Sequence, residues 1–270
     1  MSEVAAVVSL YKNDQLVTFQ QAMESLIHQS YRVDIFVQQD GKIDLEVEKY
    51  LDVLLDEKKI VYLGKRDINL GIAPSYNELF AEVLKREYKY IARMDADDIA
   101  VLNRMEVQYN FMKQHTDIDV VGGYIEEFGD NITYDKVVTY PLTHKEIFKF
   151  FSKRVPLANP TTFFRKRYFE RAGLYPLSSP TNEDTLFWMY GFQNKLIFAN
   201  IPQVLVKMRI SENFFQRRGG IKKAWSDFKD RVTVIKTLDY GVGAYLYAMI
   251  LFAVNISPPK IKQFLYKRFR

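Results

Sequence analysis

The sequence predicts an α/β fold built on a mostly parallel sheet, and three observations support this class. Over the first hundred residues, strand-like apolar segments alternate with segments whose apolar residues recur at helical spacing, as they do when helical crossovers join parallel strands. The strand-like segments are continuously apolar, which is typical of strands buried on both faces. From about Asp117 the strands become shorter and Gly- and Asn-rich turns separate them, so we expect a smaller mixed region to follow.

Each element follows from its local pattern. Val4–Leu10 is a Val-rich apolar run that predicts the first strand, and the spacing of four apolar residues predicts a helix over Gln20–Ile27. The remaining predicted elements are a strand ending at Asp40 and Gly41, a helix over Leu45–Leu55, a strand over Lys59–Gly64, a helix over Ser75–Lys85, a strand ending at Asp95, a strand beginning near Asp119, and a helix near His144–Phe151.

Composition restricts the class of function. With 270 residues and 48% hydrophobic content, the chain can build a sizeable core. Cysteine is absent, which excludes disulfides and thiolate metal sites and agrees with a reducing, cytoplasmic location. The net charge of +5 is too small to indicate a nucleic-acid partner. The first ten residues lack the pattern of a secretory signal.

Three carboxylates, Asp95, Asp97 and Asp98, follow the last strand of the first half. Side chains at i and i+2 of an extended or turning chain reach the same side, so Asp95 and Asp97 would repel each other unless a cation lay between them. Mg²⁺ takes one or two carboxylates while phosphates and waters complete its shell. The pattern therefore suits a metal-bound diphosphate, although a solvated turn that begins the next helix would carry the same residues. Asp40 also falls at a strand end and could share one crevice with Asp95.

Five motifs in chain order give the sequence a resemblance to family 2 glycosyltransferases, enzymes with the GT-A fold that use nucleotide-diphospho-sugars. The motifs are VVSLYKND, VQQDGKID, NLGIAPSYN, MDADD and NEDTLFWMY, and the resemblance runs from about Val4 to Arg218. It implies a Rossmann-like, mostly parallel sheet flanked by helices, a smaller mixed region on the acceptor side, and a C-terminal helical tail.

The resemblance also implies roles for individual residues. Asp97 would hold a divalent metal, Mn²⁺ or Mg²⁺, Asp184 would be the general base, and Glu183 would orient the base or the acceptor. The residues expected to bind the nucleotide sugar are Ser9, Tyr11, Asp40, Asn69, Gly71, Asn77, Asp95, Arg217 and Arg218, and those expected to line the acceptor pocket are Asn159, Thr161 and Thr162. An exposed basic loop is an equal alternative for the two arginines, and the acidic pair would also suit the first turn of a helix.

Three positions depart from the family pattern. Gln39 stands where the family usually has an acidic residue, Tyr190 where an arginine often lies, and Ser211 where many members carry histidine. The last departure leaves Asp97, phosphates and water as the expected metal ligands.

Residues 219–270 form a tail distinct from the unit of residues 1–218 and carry the basic excess. The apolar block within Tyr240–Pro259 is shorter than the ~20 residues that span a bilayer. The mixture of aromatic and basic residues in KIKQFLYKRFR favours a helix lying on an anionic membrane surface. A helical pair that covers the core or forms a homodimer is the alternative.

The predicted function is a metal-dependent, inverting transfer of a sugar from a UDP-sugar to a glycan acceptor, in polysaccharide biosynthesis such as that of O-antigen. A polyprenyl-diphosphate-linked acceptor would explain attachment to the inner face of the cell membrane. A sugar-phosphate nucleotidyltransferase would need a glycine- and basic-rich loop after the first strand, which SLYKNDQ lacks. A non-catalytic nucleotide- or carbohydrate-binding protein on the same fold is the other alternative, and retention of Asp97 and Asp184 speaks against it.

Overall fold

The structure is a computed structural model that describes residues 2–129, 136–179, 182–210 and 220–257. The strands are β1 (Val4–Tyr11), β2 (Asp34–Asp40), β3 (Tyr62–Arg66), β4 (Tyr90–Asp95), β5 (Ile99–Ala100), β6 (Val120–Phe128), β7 (Lys136–Val138), β8 (Phe163–Arg165) and β9 (Phe198–Arg209). The helices are α1 (Leu16–Ile27), α2 (Leu45–Asp56), α3 (Ile72–Leu84), α4 (Arg104–Gln114), α5 (His144–Phe151), α6 (Lys166–Ala172), α7 (Glu183–Gln193), α8 (Ile221–Thr237) and α9 (Val242–Ile256).

The strands of the described residues form one sheet in the order β3-β2-β1-β4-β8-β6-β9-β5, with β7 paired to β6. The first four strands in the chain run parallel to one another, whereas β8 pairs antiparallel with both β4 and β6. β9 then returns parallel to β6. A parallel half therefore continues into a mixed half, which confirms the order predicted from the sequence.

Helices cover both faces of the parallel half. Along β1, Val4, Ala6 and Val8 pack into one apolar cluster with side chains of α1, α2 and α4. Ala5 and Val7 point into a second cluster with side chains of α3, α5, α6 and α7. All five residues are fully buried. This two-sided burial explains why the strands read as continuous apolar runs.

Some element boundaries differ from the predicted ones by a few residues. The third strand covers Tyr62–Arg66 instead of Lys59–Gly64 because the preceding residues close the end of α2. The amides of Lys59 and Ile60 both donate to the carbonyl oxygen of Leu54, at 2.9 and 3.2 Å, and cannot join the sheet ladder. The helices α1 and α3 begin earlier than predicted, and α5 has its predicted bounds.

The two C-terminal helices pack against each other and against the rest of the fold. Ile235 of α8 and Ala248 of α9 are buried in their shared contact. Val234 of α8 belongs to the apolar cluster that contains α7, and the Tyr240 hydroxyl donates a hydrogen bond to the Phe148 carbonyl oxygen at 2.6 Å. Within the described ranges, no helix has the length and apolarity required to cross a bilayer.

Candidate active site

The carboxyl ends of β1, β2 and β4 bring four of the predicted nucleotide-sugar residues to one edge of the sheet. The strand register pairs Ser9 with Asp95 and Tyr11 with Asp40, so β1 lies between the two acidic residues. Asp40 is buried, and the other three side chains are half-buried. Parallel α/β sheets bind their ligands at this edge. The structure thus brings these four residues to one edge of the sheet.

The Asp40 carboxylate organises the loop between β3 and α3. It accepts hydrogen bonds from the amides of Leu70 at 2.8 Å and Gly71 at 2.9 Å and from Nε of Arg66 at 2.9 Å. The Asn69 side chain closes the same loop by donating to the Asp40 carbonyl oxygen at 3.1 Å. Both carboxylate oxygens therefore bond within the protein, and Asp40 acts on this edge through the loop that it shapes.

Gly71 and Asn77 fix the start of α3. Gly71 precedes the helix with a φ of 97°, a conformation that favours glycine. Asn77 uses both ends of its amide: Nδ2 donates to the carbonyl oxygen of Tyr175 and Oδ1 accepts from the Tyr175 amide, each at 2.8 Å. The Asn77 side chain therefore fastens the segment before α7 onto α3.

The three clustered carboxylates in the turn after β4 differ in their burial. Asp95 and Asp97 are half-buried, whereas Ala96 and Asp98 are buried. Asp98 Oδ1 accepts a hydrogen bond from the amide of Arg209 in β9 at 2.8 Å. Burial, and then the negative charges of Asp95 and Asp97, raise the pKa of Asp98. Asp98 is therefore a structural residue of the turn, and Asp95 and Asp97 are the pair that can face a cation.

A buried arginine supports this turn. Arg93 in β4 is 2% exposed, and its Nη2 lies 2.7 Å from Asp95 Oδ1. Its guanidinium carbon lies 4.5 Å from the centroid of the Tyr76 ring. Nε and Nη1 of Arg93 have no hydrogen-bond partner among the described residues. A positive charge fixed here offsets part of the repulsion between Asp95 and Asp97.

Glu183 and Asp184 form the first turn of α7. Asp184 Oδ1 accepts a hydrogen bond from the Thr185 amide at 2.6 Å. Burial, and then the Asp184 charge, raise the pKa of Glu183 to about 7, although a helix N-terminus favours negative charge. The charges of Arg93 and Asp95 also act on Glu183. The acidic pair therefore lies near the turn after β4.

The carboxylates of Asp95 and Asp97 fit a divalent cation that is also held by a diphosphate. Among the described residues, no group of three or more His, Asp or Glu side chains is arranged to hold a metal by itself. Mg²⁺ commonly needs only one or two protein carboxylates when phosphates and waters complete its shell. Oxygen donors favour Mg²⁺ or Mn²⁺ over softer metals, so the pair suits the two predicted ions.

Comparison with known proteins identifies the family. A model described as glycosyl transferase family 2 matches residues 6–173. The chain belongs to this family. An uncharacterized glycosyltransferase of Haemophilus influenzae is 29% identical to it over 276 residues, with 98% of each chain covered. The UDP-Gal:alpha-D-GlcNAc-diphosphoundecaprenol beta-1,3-galactosyltransferase of Escherichia coli is 25% identical over 270 residues, which cover 98% of this chain and 95% of the relative.

The fold of this family 2 glycosyltransferase is also shared by solved structures. The crystal structure of GalNAc-T7 with UDP, GalNAc and Mn²⁺ has a TM-score of 0.65 at 14% identity, over 86% of this chain and 47% of that one. The family and the GT-A fold that the motifs predicted are therefore confirmed.

The predicted acceptor residues of this glycosyltransferase differ in their access to solvent. Thr161 and Thr162 are fully buried, and their hydroxyls donate to the carbonyl oxygens of Ala158 at 2.7 Å and Asn159 at 2.8 Å. These hydrogen bonds hold the short helical turn Asn159–Thr161, and the predicted acceptor role of the two threonines stays a prediction. Asn159 is half-buried, and its Oδ1 accepts a hydrogen bond from the Tyr175 hydroxyl at 3.2 Å.

Ser211, Arg217 and Arg218 lie outside the described residues, as does the basic end of the tail from residue 258. Their predicted roles stay predictions.

Sequence reasoning missed Arg93, Arg66 and Tyr175. A signal for Arg93 was present, because a charged residue stands inside the otherwise apolar strand YIARMD just before the carboxylates. Buried charges are rare unless they are paired, so this arginine indicated a partner in the cluster. Arg66 and Tyr175 act through contacts between distant segments, and no local pattern marks them.

Proposed function

We propose that this glycosyltransferase is a metal-dependent, inverting enzyme that transfers a sugar from a UDP-sugar to a lipid-linked glycan acceptor. The observation that carries the proposal is that Asp95 pairs with the buried Arg93 at 2.7 Å and that the charges of both act on Glu183, so the motif of Asp95 and Asp97 lies near that of Glu183 and Asp184. One motif suits the phosphate side of the donor, and the other suits the acceptor hydroxyl. The UDP in the GalNAc-T7 structure and the UDP-Gal in the name of the Escherichia coli relative support a UDP-sugar.

Donor binding is assigned to the sheet edge. Ser9, Tyr11 and the loop shaped by Asp40 would bind the base and ribose, and Asp95 and Asp97 would hold the divalent cation. The cation, when bound, would stabilise the negative charge of the leaving diphosphate as a Lewis acid. Mn²⁺ accompanies UDP in the GalNAc-T7 structure, which supports a metal of this class.

Asp184 would act as the general base, because the acceptor hydroxyl must lose a proton as it attacks the anomeric carbon. The amide and hydroxyl of Thr185 hold one oxygen of this carboxylate in place. Its negative charge is also the second cause, after burial, of the raised pKa of Glu183. Attack from the face opposite the diphosphate converts an α-linked donor into a β-linked product in a single displacement. No residue then needs to bond covalently to the sugar.

We place the reaction at the cytoplasmic face of the cell membrane, in polysaccharide synthesis on a polyprenyl-diphosphate carrier. The Escherichia coli relative is named for an acceptor linked to diphosphoundecaprenol. On α9, Val242, Leu246, Met249 and Ile250 are each more than half exposed, and the helix contains no charged residue. Helices with an exposed apolar face and basic neighbours bind anionic membrane surfaces, and five basic residues follow α9 in the sequence.

The proposal is tested by thermal stabilisation and transfer assays on matched carboxylate variants. UDP-sugars are screened with Mn²⁺, because a ligand that binds only the folded state raises its stability. Asp97→Asn should weaken the Mn²⁺-dependent stabilisation by UDP, whereas Asp184→Asn should keep it and lose at least about 100-fold in transfer rate. Asp117→Asn, at an exposed carboxylate before β6, is the control. Normal turnover by Asp184→Asn would refute the base, and transfer that survives chelation would refute the metal.

A further inference from the structure

We infer that a pocket enclosed by α7, α8, α9 and the segment after α5 binds the diphosphate and first isoprene unit of a polyprenyl-diphosphate-linked acceptor. This inference rests on the proposed function and adds to it a site for the lipid carrier of the acceptor. The site is separate from the strand edge assigned to the donor.

The pocket has the size of a head-group site. Its volume is about 260 Å³, somewhat below the roughly 300–1,000 Å³ of pockets that enclose drug-sized ligands. A diphosphate with one isoprene unit is a ligand of this size, and a complete polyprenyl chain is not. The rest of the chain must therefore leave through the open side of the pocket.

Three basic side chains line the pocket. Lys153 and Arg154 follow α5, and Arg231 comes from α8. Lys153 is exposed, whereas Arg231 is 9% exposed and anchored by a hydrogen bond from Nη1 to the Phe151 carbonyl oxygen at 2.6 Å. Ammonium and guanidinium groups match the charge and the oxygen geometry of a diphosphate. The basic part of the lining therefore favours an anionic ligand.

Two carboxylates on α8 also line the pocket, and both have partners. Asp227 forms an ion pair with Lys223 at 2.8 Å. Asn182 Nδ2 donates to Asp227 and to Asp230, each at 2.8 Å, and the Ser179 hydroxyl donates to Asp230 at 2.6 Å. These contacts use the two carboxylates to join α8 to the start of α7, so they oppose an anionic ligand less than unpaired carboxylates would.

Part of the lining of the pocket is apolar and includes side chains of α9. Its wall consists of Phe228 from α8 with Leu251 and Phe252 from α9. Leu251 directly follows Ile250, which belongs to the exposed apolar face of that helix. An isoprenoid chain that leaves the pocket here stays in contact with apolar side chains toward the membrane. A soluble sugar phosphate would gain nothing from this wall, so the wall favours a lipid-linked diphosphate.

The pocket adjoins the residue assigned as the base. Asn182 and Thr185 of its lining flank the acidic pair in the sequence. Arg231 lies close enough to Asp184 for their opposite charges to interact. A diphosphate bound at Arg231 therefore directs the sugar that it carries toward Asp184.

The fluorescence of Trp225 provides a direct test on the full chain. Trp225 stacks on Phe228 and meets Phe252 edge-on, with ring centroids 5.7 and 5.9 Å apart, so its emission should respond to a ligand at the apolar wall. The probes are farnesyl diphosphate, inorganic pyrophosphate, farnesol and phosphatidylglycerol vesicles. Farnesyl diphosphate should bind at least about tenfold more tightly than pyrophosphate or farnesol, since it alone contacts both the basic and the apolar parts of the lining. Trp225→Phe should abolish the signal.

Two pairs of matched variants locate the binding. Lys153→Ala should weaken farnesyl diphosphate binding by about tenfold, a typical cost of losing one charge-assisted contact, whereas Lys149→Ala, also exposed but on α5 outside the pocket, should not. Leu251→Gln should weaken it by a similar factor, whereas Leu45→Gln, at an exposed leucine of α2, should not. Equal losses within either pair would overturn the inference, because a diffuse surface attraction would explain them.

The outcomes also separate this inference from the proposed function. Farnesyl diphosphate that fails to bind, while UDP with Mn²⁺ still raises the melting temperature, would overturn the acceptor site and leave the donor site standing. No stabilisation by UDP would refute the proposed donor instead. Phosphatidylglycerol vesicles that change Trp225 emission as strongly as farnesyl diphosphate, with the same dependence on Lys153, would assign the pocket to phospholipid head groups and overturn the acceptor assignment.

Discussion

Replacing Glu183 by glutamine should stabilise the folded protein above neutral pH. Burial, and then the Asp184 charge, raise the pKa of this carboxyl from 4.5 to about 7. The folded protein therefore keeps the proton up to about pH 7, whereas the unfolded chain releases it near 4.5. The favourable contribution of the protonated group is complete below pH 4.5 and is lost as the pH rises through 7. Ionised Glu183 is thus a cost to folding at the pH of a cell.

The size of the effect follows from the two pKa values. At roughly 1.36 kcal/mol per tenfold change in proton affinity, a pKa of about 7 in place of 4.5 corresponds to about 3 kcal/mol. Glu183 is 7% exposed, so water screens little of this cost. Glutamine has nearly the same shape and no charge. We expect Glu183→Gln to raise the free energy of unfolding by about 3 kcal/mol at pH 8 and by less than about 1 kcal/mol at pH 5.

Urea unfolding at pH 5 and pH 8, followed by circular dichroism, measures both values. Asp184→Asn is the comparison, because it removes the Asp184 charge, the second cause of the raised pKa of Glu183. In that background, Glu183→Gln should raise the free energy of unfolding at pH 8 by less than it does in the wild type, but still by a measurable amount. Transfer by the wild type should decline below pH 7 as Glu183 takes up a proton. An equal stability change of Glu183→Gln at both pH values would refute the argument from a buried charge.

Three further substitutions test the supports of the site. Arg93→Met should weaken Mn²⁺-dependent UDP binding by at least about tenfold in calorimetric titrations, because Asp95 loses the ion pair that holds its carboxylate in position. Arg93→Lys should recover part of the affinity, and full affinity in Arg93→Met would contradict this positioning role. Asp40→Asn should lower the free energy of unfolding in urea by about 1.5–3 kcal/mol, since it weakens the hydrogen bonds from Arg66 and from two amides of the following loop. An unchanged urea midpoint would show that the loop does not need the charge of Asp40. Gly71→Ala should cost about 1–2 kcal/mol in thermal unfolding because of its positive φ, whereas Gly243→Ala in α9 should cost nothing; equal effects would exclude backbone strain as the reason.

The parallel half of the fold was predictable because a strand buried on both faces is continuously apolar, and this pattern can be recognised in each strand separately. Val4–Tyr11 and Tyr90–Asp95 read as buried strands without knowledge of their neighbours. The meeting of Asp40 and Asp95 at one edge followed from a general rule of parallel sheets. The start of β3 was not predictable, because it depends on how the backbone closes the preceding helix.

The candidate site residues could be proposed from the sequence where they stand in a local motif, and not where they depend on a distant contact. Asp95, Asp97, Glu183 and Asp184 stand in short motifs, and the structure brings the two pairs near each other. The side-chain amide of Asn77 instead bonds to Tyr175, 98 positions further along the chain. A local sequence pattern does not predict a contact over this separation. The burial of two threonines in the acceptor motif likewise depends on strands that the motif does not contain.

Because hydrogen bonds join α8 to the start of α7, the C-terminal helices of this enzyme are not an independent module. Ser179 and Asn182 both donate to Asp230, and Arg231 of the same helix donates to the carbonyl oxygen of Phe151. A chain shortened after residue 218 would lose these bonds, and the acidic first turn of α7 would stand without its support. Exchanging the tail between relatives to alter the acceptor would thus also disturb the first turn of α7. The C-terminal helices are thus joined to the acidic first turn of the candidate active site.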